Sequence, residues 1–482
     1  MPVTVRFAPS PTGLMHVGLA RTALFNWLFA RRHSGRFILR IEDTDRARCK
    51  PEYIQDYLES LRWLGLNWDE GPHIQSERIE LYQQHAQCLL DGGNAYRCYC
   101  TPERLEEMRR EQQLRKQPPG YDRFCRGLSR ERRTALEASG AASVVRFAMP
   151  LEGSTEFEDQ IRGRIQFDNS TLDDFVILKS DGFPTYHLAS VVDDHMMGIT
   201  HILRGEEWIS STPRHILLYR AFAWSPPLFA HLPLILGKDR TKLSKRHGAA
   251  SLIEYREQGY LPDALANYVA LLGWSPGGDQ EVLSRAEMIE RFDFSAINPA
   301  PAIFDLDKLD WMNGVYIRAL ESERLGELAL PFLQRAGLVA QQASREQQEY
   351  AGKVLSLEQE RMKRLSDAPQ LASFFFVESV DYDERAVNKW LKRDYVPGVL
   401  QVLLERFSAM QPWDTATIEA EVRGLADKAN RKASELIHPV RVAATGRTEG
   451  PGLFETLELI GRERVISRLR TALSLAGPAN ER

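Results

Sequence analysis

Five cysteines in 482 residues are too few, and odd in number, for a disulfide framework, and they fit a reducing compartment, so a cytoplasmic location is expected. No apolar run approaches the roughly 18 residues that cross a bilayer, so no membrane partner is expected. The first ten residues lack the charged-then-apolar layout of a leader peptide. Lys and Arg number 62 against 66 Asp and Glu, and the net charge of −4 argues against polybasic wrapping of nucleic acid. A local basic face stays open, because partners feel the charge distribution as well as the sum. Two phosphate signatures are missing too. There is no G-x-x-x-x-G-K-[ST] loop and no G-x-G-x-x-G after a strand, which counts against a P-loop or a dinucleotide-type site. What remains is ordinary for a soluble multidomain enzyme, too long for one core.

The strongest positive signal is RFAPSPTGLMHVGLA, Arg6 to Ala20. Thr4 to Ala8 reads as a strand, and Pro9, Pro11 and Gly13 break it. A helix follows with Ala20, Leu24, Trp27 and Leu28 at helical spacing, and with Arg21, Arg31 and Arg32 turned to solvent. Phe37 to Ile41 is a second strand, ending in Glu42, Asp43, Thr44 and Asp45. Strand, helix and strand make a βαβ unit, hence a parallel sheet of Rossmann-like type with a right-handed crossover. Ligands of such sheets bind beyond the carboxyl ends of the strands, beside a helix N-terminus. His16 and Gly18 sit there, and Gly18 allows a base or ribose to approach the backbone.

Downstream, Phe175 to Leu178 reads as another strand. The segment after it concentrates Tyr186, His187, Asp193, Asp194 and His195. Adjacent acids point different ways, so polar networking explains Asp193 and Asp194 better than a metal. Ile199 to Arg204 is a further strand, and RGEEW runs on into a helix begun near Ser210 to Pro213. In KLSKR, Lys242 and Lys245 are three apart, and flexible point charges of this kind suit a departing pyrophosphate. Between the two halves lies an insertion, 96–175, with Cys98-Tyr-Cys100, a charged helix (Pro102 to Lys116), Tyr121 and Cys125. Cys49 and Cys88 read as ordinary helix residues. Beyond the basic loop the pattern turns mostly α-helical, with runs at 260–274, 319–337 and 349–376.

These residues resemble the class I aminoacyl-tRNA synthetases, and within them the bacterial glutamyl-tRNA synthetases. RFAPSPTG, HVG, RFILRIEDTD, GFPTYHLASVVDDHMMGITHILRGEEW, KLSKR, HPVRVAATG and GPGLFE match in order and spacing. The "HIGH" motif survives as His16, Val17, Gly18 and Leu19, the "KMSKS" motif as Lys-Leu-Ser-Lys-Arg. Ser190 stands where many relatives carry Asn. The resemblance implies activation of L-glutamate with ATP and Mg²⁺, then transfer to the terminal ribose of tRNA-Glu by a monomer. It implies phosphate handling by His16, Lys242 and Lys245, and an ATP site at Ser10, Thr12, His16, Gly18, Glu207, Trp208, Leu243, Ser244 and Lys245. Glutamate falls to Arg6, Ala8, Ser10, Glu42, Tyr186, Ser190 and Arg204. The implied parts are catalytic halves at 1–95 and 176–246, an acceptor-stem insertion at 96–175, a connecting domain at 247–322 and a helical anticodon-binding region at 323–482. In that last region Arg361, Arg364, Lys432 and Arg441 are the RNA-contact candidates, Arg361 and Arg364 being one helical turn apart. A helical anticodon region argues against a glutaminyl enzyme. A non-discriminating enzyme that also charges tRNA-Gln, and a non-catalytic tRNA-binding homologue, are the alternatives. Cys98, Cys100 and Cys125 give three soft ligands where structural zinc needs four. In the shorter glutamyl-queuosine relatives a tyrosine completes the site, as Tyr121 does in one reading here. In the other reading the three thiols are reduced and free of metal.

Overall fold

The computed structural model describes residues 2–243 and 250–477. The chain forms two compact units, Met1–Tyr255 with Leu265–Leu306, and Arg256–Ala264 with Asp307–Arg482. Among the described residues no helix is long and apolar enough to cross a membrane. The connecting part expected at 247–322 is thus divided between the two units.

The first unit is laid down on parallel strands. Strands β1 (Thr4–Phe7), β2 (Arg36–Ile41) and β3 (Glu70–Ile74) pair in that order. All four residues of β1 are buried, as expected for a strand covered on both faces. Helix α1 (Val17–Arg32) crosses between β1 and β2 and is capped by His16, whose Nδ1 accepts the Gly18 N–H at 3.2 Å. Arg21 departs from the expected solvent face. It is buried, and it donates to the carbonyls of Leu272 and Pro233. Burial lowers its pKa to about 10, against the pull of Glu207 and Glu206. The α1 face that reads as polar is therefore covered by chain that arrives more than two hundred residues later.

Strands β4 (Ala95–Cys98) and β5 (Val144–Phe147) belong to the insertion, followed by the hairpin β6 (Ser154–Asp159) and β7 (Gly163–Asp168) and by β8 (Val176–Leu178). The later strands β9 (His201–Gly205) and β10 (Leu228–Leu232) are parallel. Two pairings were not foreseen. Strand β8, read as opening the second catalytic half, pairs antiparallel with β5 and closes the sheet β4-β5-β8. The β6–β7 hairpin leaves the insertion and extends β10, in the order β7-β6-β10-β9. Phe157 explains that excursion: it packs on the cluster of Ile38, Ile202 and Phe229, its ring centroid 5.9 Å from that of Phe229. Strands β1 and β9 meet through Thr4 and Thr200, each donating its N–H to the other at 2.9 Å.

The second unit is helical. The run expected at 349–376 is broken into helices Arg345–Glu358 and Ala368–Phe376. The break is local: Asp367 Oδ2 accepts the N–H groups of Lys363 and Arg364 at 2.9 and 2.8 Å, and Pro369 sits in the first turn of the second helix. Cys49 lies in irregular chain just after a turn rather than in a helix, while Cys88 is on the helix Ile79–Asp91.

Candidate active site

Helix α2 (Tyr186–Met196) brings Tyr186, Ser190, Asp193 and Asp194 against the strands. Asp194 Oδ1 accepts from Arg6 Nε at 3.0 Å and Arg40 Nη1 at 2.8 Å. Arg40 Nη2 donates to Glu42 Oε1 at 2.8 Å, with Nε on the same oxygen at 3.3 Å. Asp193 accepts from Gln75, Arg78 and Tyr82 at 2.7–2.9 Å. Polar networking accounts for the two acids, with three of their four carboxylate oxygens bonded to guanidinium, amide or phenol groups. Arg6, Arg40, Glu42, Asp193 and Asp194 are all buried. Burial raises the Glu42 pKa despite Arg40 and Arg6, whereas Arg6 and Arg40 overcome the same burial to hold Asp194 low. Ser190 Oγ and Asp194 Oδ2 are buried polar atoms without a partner among the described residues. Arg40 was missed at sequence level, although a charged residue inside the apolar run FILRI is a visible signal.

Arg204 ends β9 in a different setting. Its Nη1 donates to Tyr186 Oη at 2.8 Å, Nη2 to Thr212 Oγ1 at 2.8 Å and to the Trp208 carbonyl at 3.3 Å, and Nε to His231 Nε2 at 3.1 Å. Tyr186 touches the tilted Trp208 ring at 4.5 Å. His187 and His215 pack behind it, 3.1 Å apart, and desolvation holds His187 down at about 3 and His215 well below its ordinary value.

At the nucleotide end, His16, Lys242 and Glu207 are close enough to perturb one another. Desolvation and then Lys242 lower the His16 imidazole, against Glu207. A Cβ on Gly18 would meet the His16 ring at 3.1 Å, so only glycine leaves that ring in place. Ser251 bridges to His16 and the Leu252 N–H donates to Met15 O at 3.0 Å. Ser10 and Thr12 are exposed in the turn after β1, with Ala8 half-buried between them and Arg6. Leu243 is half-buried; Ser244 and Lys245 lie outside the described residues.

In the insertion, the thiols of Cys98, Cys100 and Cys125 lie within 4.8 Å of one another. Tyr121 Oη is 3.3 Å from Cys98 Sγ and 3.4 Å from Cys100 Sγ, and Cys100 is 3.5 Å from Cys125. The Arg146 guanidinium stands 3.8 Å over the Tyr121 ring. Tyr121 is thus the oxygen that lies against the thiols of Cys98 and Cys100.

The candidate RNA contacts separate. Arg361 Nη1 donates to the buried Glu358 at 2.6 Å, and Arg361 and Arg441 lie near enough for the first to lower the second, after desolvation. Arg364 is instead clamped by Asp310 at 2.7 and 2.8 Å and lies over the Tyr260 ring. Lys432 is exposed at a helix start, apart from these pairs. Sequence reading missed a ring stack: Trp390 on His438 at 4.2 Å, with Arg393 4.4 Å over Trp390. The basic KWLKR run was the available signal.

The family described as "tRNA synthetases class I (E and Q), catalytic domain" matches residues 2–311, and "Anticodon binding domain" matches 324–473. The chain belongs to the class I tRNA synthetases of the glutamate and glutamine type. It is 49% identical over 481 residues to the glutamate–tRNA ligase of Dehalococcoides mccartyi strain 195, covering 98% of each chain. It is 47% identical to that of Moorella thermoacetica, again over 98% of each. A crystal structure of a glutamate–tRNA ligase from Elizabethkingia meningosepticum in complex with its amino acid superposes with a TM-score of 0.91 at 35% identity, covering 98% of this chain and 99% of that one.

Proposed function

We propose that the chain is a glutamate–tRNA ligase, which activates L-glutamate with ATP and acylates the terminal ribose of tRNA-Glu. The observation that carries the substrate assignment is the pair Arg204–Tyr186. Among the described residues Arg204 donates only to neutral acceptors, so its charge is left for a carboxylate. The guanidinium charge attracts a carboxylate and rejects the amide of glutamine, whose NH₂ finds only donors. Arg6 supplies a second cation, although Asp194 already shares it. Both Arg40 bonds fall on Glu42 Oε1, which leaves Oε2 for the substrate ammonium. Ser190 Oγ, without a partner among the described residues, is placed for a polar atom of the same substrate.

In the first step a carboxylate oxygen of glutamate attacks the α-phosphorus of ATP and pyrophosphate leaves. This step asks for alignment and charge neutralisation more than for proton transfer. His16, kept neutral, donates or accepts at the α1 N-terminus, where the helix dipole favours phosphate. Lys242 and Lys245 follow the pyrophosphate, with Mg²⁺ accompanying ATP. Ser10, Thr12, Glu207, Trp208, Leu243 and Ser244 form the nucleotide rim, and Ala8 leaves room beside Arg6. In the second step the ribose hydroxyl attacks the acyl carbonyl and AMP leaves. The assigned parts are the insertion for the acceptor end and 323–482 for the anticodon, through Arg361, Arg441 and Lys432. Arg364, clamped by Asp310, is better suited to holding the unit together. A cytoplasmic monomer fits the free thiols and the family.

The three thiols and Tyr121 fit a structural zinc: three soft donors and one oxygen converge at ligand spacing. Zinc would tie β4 to the loop of Cys125 and leave the chemistry untouched. Protein purified without chelator is expected to carry about one zinc per chain, and a content near zero would end this assignment.

ATP–pyrophosphate exchange with glutamate and with glutamine, each with and without tRNA, tests the function. Exchange confined to glutamate supports it. Equal exchange with glutamine, or none in folded protein, would overturn it. Charging of tRNA-Gln as readily as tRNA-Glu would replace it with the non-discriminating enzyme.

A further inference from the structure

We propose that Asp159 and His231 are a positioning pair for Arg204, holding the imidazole as its neutral Nδ1–H tautomer so that Nε2 accepts the Arg204 Nε–H. The inference rests on the reading of Arg204 as the carboxylate partner of glutamate. His231 Nδ1 lies 2.6 Å from Asp159 Oδ2, and both side chains are fully buried. A carboxylate on Nδ1 and a guanidinium N–H on Nε2 admit one neutral tautomer only. Protonation would turn both ring nitrogens into donors and set Nε2–H against Nε–H.

Asp159 is itself fixed at both oxygens. Oδ1 accepts the N–H groups of Ile161 and Arg162 at 3.0 Å and of His231 at 3.3 Å, closing the β6–β7 turn. The Phe229 ring stacks on His231 (centroids 6.3 Å, interplanar 5°) and lies 5.7 Å below the Arg204 guanidinium. The spacer has a purpose that direct contact would not serve. Asp159 bonded straight to Arg204 would be an ion pair and would spend the charge the substrate needs. An interposed neutral ring passes on orientation and leaves the charge. Of five Arg204 N–H groups, four are held by neutral acceptors, which leaves one on Nη1, beside the Tyr186 hydroxyl, for the substrate. Because Asp159 comes from the insertion, that segment supports the amino-acid pocket through His231.

The test compares His231→Asn, which keeps a donor near Asp159 and loses the acceptor for Arg204, with His231→Gln, which restores an oxygen where Nε2 stands. In tRNA-supported ATP–pyrophosphate exchange, His231→Asn is expected to raise KM for glutamate about 10–100-fold, the scale of one hydrogen bond to a charged group. KM for ATP and kcat should stay within about threefold, and His231→Gln should recover most of the loss. Equal behaviour of the two variants, or parallel changes in kcat and KM for ATP, would overturn the pair. Should His231 variants fail to fold, Asp159→Asn with a ¹⁵N-histidine spectrum of the wild type decides: His231 with Nε2–H, or doubly protonated, refutes it. Wild-type protein without glutamate exchange would refute the functional reading instead, and the spectrum would still decide the tautomer.

Discussion

Two arginine–carboxylate constructions in this chain differ in solvent, and solvent decides what each is worth. In the first unit Arg6, Arg40, Glu42 and Asp194 are sealed, with Asp194 side-chain exposure at 1%. In the second, Arg361 meets the buried Glu358 while keeping 35% of its own side chain exposed. The sealed network has compensated desolvation with several bonds per charge, so it is rigid and intolerant. The half-open pair keeps its cation partly in water. One construction presents a fixed field, the other a charge that solvent and solutes can reach.

The sharpest way to break that contrast is Asp194→Asn, which strands two buried guanidiniums. A loss of about 3–5 kcal/mol in urea unfolding is expected, whereas Arg361→Gln, whose amide can still donate to the buried Glu358, should cost only about 1 kcal/mol. Similar losses would dissolve the comparison. Arg204→Ala should lower kcat/KM for glutamate about 10²–10³-fold with near-ultraviolet circular dichroism unchanged. Normal adenylate formation would remove Arg204 from the pocket.

A pH experiment probes the buried side alone. His187 and His215 are held neutral in the fold by desolvation, so the unfolded chain binds protons that the native chain refuses. Stability should therefore fall as pH drops below the unfolded value near 6.5, and for His187 continue falling to about 3. Between pH 7.5 and 5.5 each histidine costs about 1.4 kcal/mol. His187→Gln should remove its share, and an unchanged slope would contradict the assignment. The smallest effect belongs to the open side. Arg361→Gln should shift the ratio of tRNA-Glu to tRNA-Gln charging about tenfold, near 1.4 kcal/mol, with exchange intact; an unmoved ratio would remove Arg361 from the discrimination and leave Arg441 to be tried.

Much of the active site was legible because its chemistry is contiguous in sequence: HVG at a helix start, RIEDTD at a strand end, LRGEEW at another. Arg6 and Arg204 fall on strands that periodicity places and Glu42 follows the end of another, whereas the helix that carries Tyr186 and Ser190 was not read from the sequence. What stayed hidden was contributed from far away. Arg40 stayed unassigned until Asp194, a long way along the chain, met it. Arg21 is polar by pattern and buried by the segment at Leu272. Asp159 and His231, separated by 72 residues, have no local signature at all. Arg361 and Arg364 are equal by spacing, and only Asp310 distinguishes them.

The sequence by itself determined the parallel βαβ start, the helical second half, the motif-bearing loops and the set of soft ligands at Cys98, Cys100 and Cys125. Those follow from short-range rules: period, turn chemistry, capping and the donor properties of each residue type. Tertiary structure alone decided that β6 leaves the insertion to join β10, that β8 closes the other sheet, and which charges pair. Strand partnership and ion pairing are settled by long-range burial, where a carboxylate's value depends on which guanidinium the fold delivers to it and how much water the fold removes.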